Sequence, residues 1–138
     1  MNEHLRARGH ENVSAAHAST FEVTTDDYLT PAGDCIVGIE ADRAPADFDP
    51  SFIEACGNHE ATIVATLCVG ERTETVTGRG HPDLTFDSPR SAVVRTSDYV
   101  DDRTVMVGAD AAAADLDRGI VTALADGADL DFELRVEV

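Results

Sequence analysis

The sequence predicts an α+β fold, one compact domain of mainly antiparallel sheet with two helices, and three features predict it. The final segment alternates apolar and polar side chains, which is the period of a strand with one buried face. Two stretches place a capping Asp ahead of apolar residues at helical spacing. The other apolar runs are short, rich in Val and Thr, and bounded by Gly, Pro or Asp, as strands are. At 138 residues the chain is read as one domain, 1–138, long enough to bury roughly 70% of its unfolded surface. With no Trp and 5% aromatic residues, the core has to be built mainly from Val, Ile, Leu and Ala.

Glu3 to Arg8 is the first expected strand, with Leu5 and Ala7 toward the core and Arg6, Arg8 and His10 on the opposite face. Thr20 to Thr24 is the second. Thr30-Pro31-Ala32-Gly33 is turn chemistry leading into a third, Cys35 to Glu40. Asp49 before Pro50 joins a cap to a first-turn proline, predicting a helix over Pro50 to Cys56 that Gly57 stops. Ala61 to Val69 reads as a central strand, turned at Gly70-Glu71 into Arg72 to Thr77. Ala92 to Thr96 and Thr104 to Val107 are further strands. Asp110 is expected to cap a helix reaching about Ala125, with Ala113, Leu116, Ile120 and Leu124 on one stripe. Asp115 and Arg118 are spaced to pair on it, and Gly127 is placed to end it. Leu130, Phe132, Leu134, Val136 and Val138 form the closing strand. This order suggests two related halves, each holding one copy of Arg-Gly-His: Arg8-Gly9-His10 and Arg79-Gly80-His81.

The formal net charge is −17, from 27 acidic and 10 basic residues, and every basic residue is Arg. A patterned, lysine-free, Asp-rich chain is expected of a halophilic cytoplasmic protein, because molar salt shrinks the Debye length to about 3 Å and screens surface repulsion. Three cysteines (Cys35, Cys56, Cys68) without CxxC spacing indicate neither a disulfide framework nor a zinc knuckle. The first residues read as no signal peptide, and the longest apolar run is too short to span a bilayer, so no membrane partner is expected.

Four stretches contain no acidic residue: Asn12 to Phe21, Ala61 to Gly70, Thr75 to Pro82 and Ser88 to Ser97. A buried strand accounts for the second by desolvation alone. The others hold His17, Arg79, His81, Arg90, Arg95 and Ser97, a pattern expected of a surface kept positive for an anion. Arg8, Arg79 and Arg95 would hold it by bidentate bonds, Gly9 and Gly80 would give backbone access, and His10 and His81 would donate hydrogen bonds. The bland reading pairs each Arg with surface Asp and leaves the glycines to make turns. His10, His17 and His81 could instead form a Zn²⁺ triad with Asp34 or Cys35 as fourth ligand. In that reading His10, Asp34 and His81 are the catalytic candidates of a metal-dependent hydrolase, with Asp34 orienting a ligand or acting as base. Cys35 reads as buried filler rather than nucleophile, and His4 and His59 as peripheral.

Arg8-Gly9-His10-Glu11-Asn12, His17-Ala18-Ser19-Thr20-Phe21-Glu22, Leu29 to Ile36, Gly80-His81-Pro82-Asp83-Leu84-Thr85, Arg95-Thr96-Ser97, Arg103-Thr104 and Ala113 to Arg118 together resemble an archaeal family, Domain of Unknown Function 371. The family pattern places Lys where Thr96 and Ala111 stand here. The resemblance implies an archaeal protein and marks candidate residues without naming an activity. Three functions therefore stay open: a binder of a small phosphate-bearing or carboxylate ligand, a metal-assisted hydrolase, and a structural or interaction subunit. RNA fits the first less well, because no aromatic stacking platform accompanies the arginines.

Overall fold

The computed structural model describes residues 1–137. Its elements run β1 (Asn2–Arg8), β2 (Thr20–Thr24), β3 (Ile36–Gly38), α1 (Pro50–Cys56), β4 (Thr62–Val69), β5 (Arg72–Arg79), β6 (Ser91–Arg95), β7 (Thr104–Met106), α2 (Arg118–Ala125) and β8 (Asp129–Glu137), with 3₁₀ turns at Pro45–Asp47 and Ala113–Asp115. They form two four-stranded sheets, ordered β1-β8-β4-β5 and β3-β2-β6-β7. The first is wholly antiparallel. In the second the central pair β2–β6 is antiparallel, while β3 and β7 join their neighbours in parallel across long loops. The α+β class stands; the parallel outer pairs are invisible to local periodicity.

The two halves repeat each other about a two-fold axis. In the first sheet Thr66 stands opposite Glu133, and the flanking pairs Ala65–Leu134 and Leu67–Phe132 exchange places across that point. In the second the axis passes through the pair Glu22–Val93. Each half runs strand, strand, strand, 3₁₀ turn, helix, strand. Even the left-handed residues recur: Ala15 (φ 45°) matches Phe86 (φ 53°), and Glu40 (φ 55°) matches Gly108 (φ 58°).

One hydrophobic core joins the sheets and helices. Leu5, Ile63, Leu67, Phe132 and Leu134 point inward from the first sheet and Phe21, Val23 and Val94 from the second. Phe21 meets Phe132 edge to face, centroids 6.1 Å apart. Phe48, Phe52 and Phe86 form a second aromatic group that ties α1 to the loop before β6.

Three expectations need correction. The second helix does not start at Asp110, whose carboxylate instead accepts from the Thr77 N–H at 3.0 Å. Asp117 is the true cap, accepting from Ile120 N–H at 3.1 Å, and Leu116 before it is extended. Two Asp residues each suited to capping precede the same apolar stripe, and only tertiary contacts choose between them. Arg118 does not pair with Asp115; it donates to the carbonyls of Leu116, Ala113 and Ala15. The third strand covers Ile36–Gly38 rather than Cys35 to Glu40. Val138 of the expected last strand lies outside the described residues. Among the described residues no helix is long and apolar enough to cross a membrane, and all three cysteines are free thiols.

Candidate functional site

Each Arg-Gly-His copy ends an outer strand of the first sheet and tucks under the C-terminal end of the helix from the other half. Gly9 N–H donates to the Ala128 carbonyl at 2.8 Å, and Gly80 N–H to that of Ala61 at 2.9 Å. No side chain fits at either glycine. A Cβ on Gly9 would stand 2.6 Å from Leu124 Cα and closer to its carbonyl, and one on Gly80 would stand 2.6 Å from the Asn58 oxygen and closer to that of Cys56. Helix packing by itself therefore requires glycine at both positions.

The imidazoles share one hydrogen-bonding arrangement. His10 Nδ1 accepts from Asn12 N–H at 3.0 Å and His81 Nδ1 from Asp83 N–H at 3.0 Å. His17 Nδ1 accepts from the N–H groups of Ser19 (3.2 Å) and Thr20 (3.1 Å), fixing the start of β2. Ser88 does the same work before β6, its Oγ accepting from the N–H groups of Arg90 and Ser91. An amide N–H can only donate, so each Nδ1 presents a lone pair and the neutral ring carries its hydrogen on Nε2. Such rings offer donors at Nε2. Metal ligation there would push the proton onto Nδ1, against the amide.

The two triplets do not share a site. Arg8 lies opposite Asp129 at the start of β8, whereas Arg79 lies opposite Thr62, which faces Glu137 at its far end. Eight residues of strand separate those ends, roughly 27 Å at a rise near 3.4 Å per residue. His10 and His81 therefore cannot belong to one triad with His17, and no group of three or more metal-ligating side chains converges among the described residues. Asp34, the expected orienting acid or base, serves the turn through its main-chain carbonyl, which accepts from Ala16 and His17. Ser97 likewise serves its loop, its Oγ accepting from Tyr99 N–H.

Most of the arginines have spent their charge. Arg8 pairs with Glu40, and Arg95 is 11% exposed with Nη2 on Asp101 at 3.0 Å and Nε on the Thr104 hydroxyl at 2.8 Å. Arg103 binds Asp101 at 2.9 Å and approaches the buried Glu22. Thus Arg95, expected to hold an anion, is already neutralised. Sequence reasoning missed Asp101 and Glu22, whose signal lay only in the quoted runs through Glu22 and Arg103. Burial raises the Asp101 pKa, but bonds from the Arg103 side chain and N–H, the Arg95 charge and the Thr104 hydroxyl outweigh it and hold the value at about 2, against 3.8 normally. A folded-state pKa depressed below the unfolded one contributes stability above pH 3.8 that disappears as pH falls toward about 2. Asp101→Asn is therefore expected to flatten the acid limb of a stability–pH curve in that window, and an unchanged limb would refute this assignment. Burial, then the Glu22 charge, raises the Cys35 pKa, which opposes a thiolate nucleophile. Burial pushes Cys56 up to about 12.

Arg79 differs from the others. Among the described residues eight of the ten arginines have a carboxylate within 4.0 Å, and Arg118 lies on main-chain carbonyls. Arg79, exposed at the end of β5, has neither. The two-fold axis shows why. Arg8 opens onto a cavity of about 510 Å³ also lined by Arg6, Glu40, Asp129 and Asp131, and Asp126 lies on its other side. Around Arg79 the equivalent positions are Thr77, Gly108, Thr62, Val64 and His59. Every carboxylate of the first site is replaced by an uncharged residue. The guanidinium lies over Gly108, where a Cβ would come 2.7 Å from Nη2. His59, set aside as peripheral, packs edge to face on His81 with centroids 4.7 Å apart. Beyond His81 the surface turns acidic, in a cavity of about 470 Å³ lined by Thr85 and by Asp83, Asp87, Asp98, Asp101 and Asp102.

The fold and its paired turns define a duplicated α+β domain. The chain belongs to the Domain of unknown function (DUF371) family, whose model matches residues 5–137. It is 42% identical over 132 residues to the uncharacterized protein MJ0206 of Methanocaldococcus jannaschii, covering 96% of this chain and 97% of that protein. Neither the family nor that relative is assigned an activity by its name.

Proposed function

We propose that this protein binds a small anionic, phosphate-bearing ligand at one site centred on Arg79, and that the rest of the Arg-Gly-His apparatus braces the fold. The observation that supports the reading is the contrast across the two-fold axis: one Arg is surrounded by carboxylates, and its counterpart has none within 4.0 Å among the described residues. In a chain of net charge −17, an Arg without a carboxylate partner is the strongest local attractor for an anion. Its planar guanidinium suits two oxygens of a phosphate at once. Thr62 and Thr77, its neighbours on the open face of the sheet, supply hydroxyl donors. The acidic cavity beyond His81 limits the ligand to a compact group on the sheet side.

Inorganic phosphate titrated into isotopically labelled protein tests this. Saturable amide shifts are expected at Arg79, Gly80 and Gly108. Arg79→Gln should weaken binding roughly 10- to 100-fold, since a charge-assisted hydrogen bond contributes roughly 1.5–3 kcal/mol. Arg8→Gln should leave it unchanged. Equal losses in both variants, or no saturation, would sink the proposal.

A further inference from the structure

We infer that β5 is a docking edge for a second copy of this chain. The inference rests on strand geometry and is independent of anion binding. Odd-numbered residues of β5 turn their main-chain groups away from β4. Those of Thr77 and Arg79 are satisfied within the chain: Thr77 N–H reaches Asp110 at 3.0 Å, Asp110 N–H donates to the Thr77 carbonyl at 2.9 Å, and Arg79 exchanges bonds with Val107. The equivalent groups of Thr73 and Thr75 have no protein partner among the described residues, and both residues are exposed.

The matching edge of β1 is capped at the His4 carbonyl. There Arg43 Nη1 donates to the His4 carbonyl at 3.0 Å, while Nη2 binds the Asp47 carbonyl and Glu3. The residue in Arg43's place in the second half is Ala111, so nothing reaches across the β5 edge. An open edge is a template for another strand, and folded proteins ordinarily blunt one.

The sequence of β5 fits its own copy. Set antiparallel with Thr73 facing Thr73 of the second copy, Glu71 meets Thr75 on either side, and Arg72 falls opposite Glu74 twice. Facing residues of this kind exchange two hydrogen bonds each. A shift that centres the pair on Glu74 would place two carboxylates together, so charge selects the first register. Within β5 the solvent face carries Thr73, Thr75 and Thr77, and Glu71 of the preceding turn is the one acidic side chain of the paired segment on that face, so two chains of charge −17 can approach along it. The product is one continuous eight-stranded sheet. Five paired residues cover less than the roughly 800 Å² per partner of standard interfaces, so association is reversible.

Sedimentation equilibrium in molar KCl, up to millimolar protein, tests the inference. The mass is expected to rise from 14.7 kDa toward twice that value. Ala111→Arg, which rebuilds the missing cap, should hold the protein monomeric, as should Thr75→Pro, which removes an outward N–H while sparing the β4–β5 ladder. Arg79→Gln should dimerise as the parent does, which separates this inference from the anion site. If the parent stays monomeric throughout, or folded Ala111→Arg dimerises normally, the inference is overturned. Should Thr75→Pro fail to fold, Ala111→Arg decides alone. A captured basic peptide, with no self-association, would also count against it.

Discussion

Gly80→Ala is expected to lower stability by about 3 kcal/mol or more, at the upper end of what overpacking costs. The new methyl would meet main-chain oxygens of Cys56 and Asn58, which cannot swing aside as a side chain can. Relief requires moving the end of α1 away from the turn, which breaks the His81 N–H bond to the Cys56 carbonyl (3.0 Å). Gly9→Ala should behave alike beneath Leu124 of α2. Gly57→Ala is the control, since its Cβ would come no nearer than 3.3 Å to any atom and its φ is −77°. Denaturant titration of the three variants gives the comparison. A Gly80→Ala protein within 1 kcal/mol of the parent would show that the turn does not bear on the helix.

Phe132→Ala should cost about 3–5 kcal/mol, the range for emptying an aromatic site in a packed core. Phe132 is fully buried at the centre of the first sheet and bridges to Phe21 of the second. Its counterpart across the two-fold axis is Ala65, and that of Phe21 is Ala92. The two rings thus fill both sides of the axis from one side only. Restoring volume with Ala65→Phe in the Phe132→Ala background should recover part of the loss. Thermal melts of the single and double variants measure this, and a double variant no better than the single would refute the shared-volume argument.

The closing strand was legible because every second residue from Leu130 to Val136 is buried, which is a local property of the chain. Helix α1 was legible for a similar reason, with Asp49, Pro50 and Gly57 all acting at close range. The start of α2 was not, because Asp110 is captured by Thr77 from a strand far away in sequence. The candidate site divides along the same line. Absence of acid near Arg79 can be seen in the sequence, but Arg8 is also followed by an apparently uncommitted stretch. What separates them is Glu40 against Gly108, and only the fold brings those residues to the arginines. The roles of His10, His17 and His81 were likewise hidden, since an imidazole that accepts from a nearby amide looks in sequence like any other histidine.

The placement of β8 bears on how the protein is made. It lies between β1 and β4, yet it is the final strand in chain order. During synthesis β1 has no neighbour in its sheet until that segment emerges, and one side of β4 stays bare for as long. Much of the apolar face that later meets Phe21 remains open throughout. Acquisition of the native fold on the ribosome therefore waits for β8.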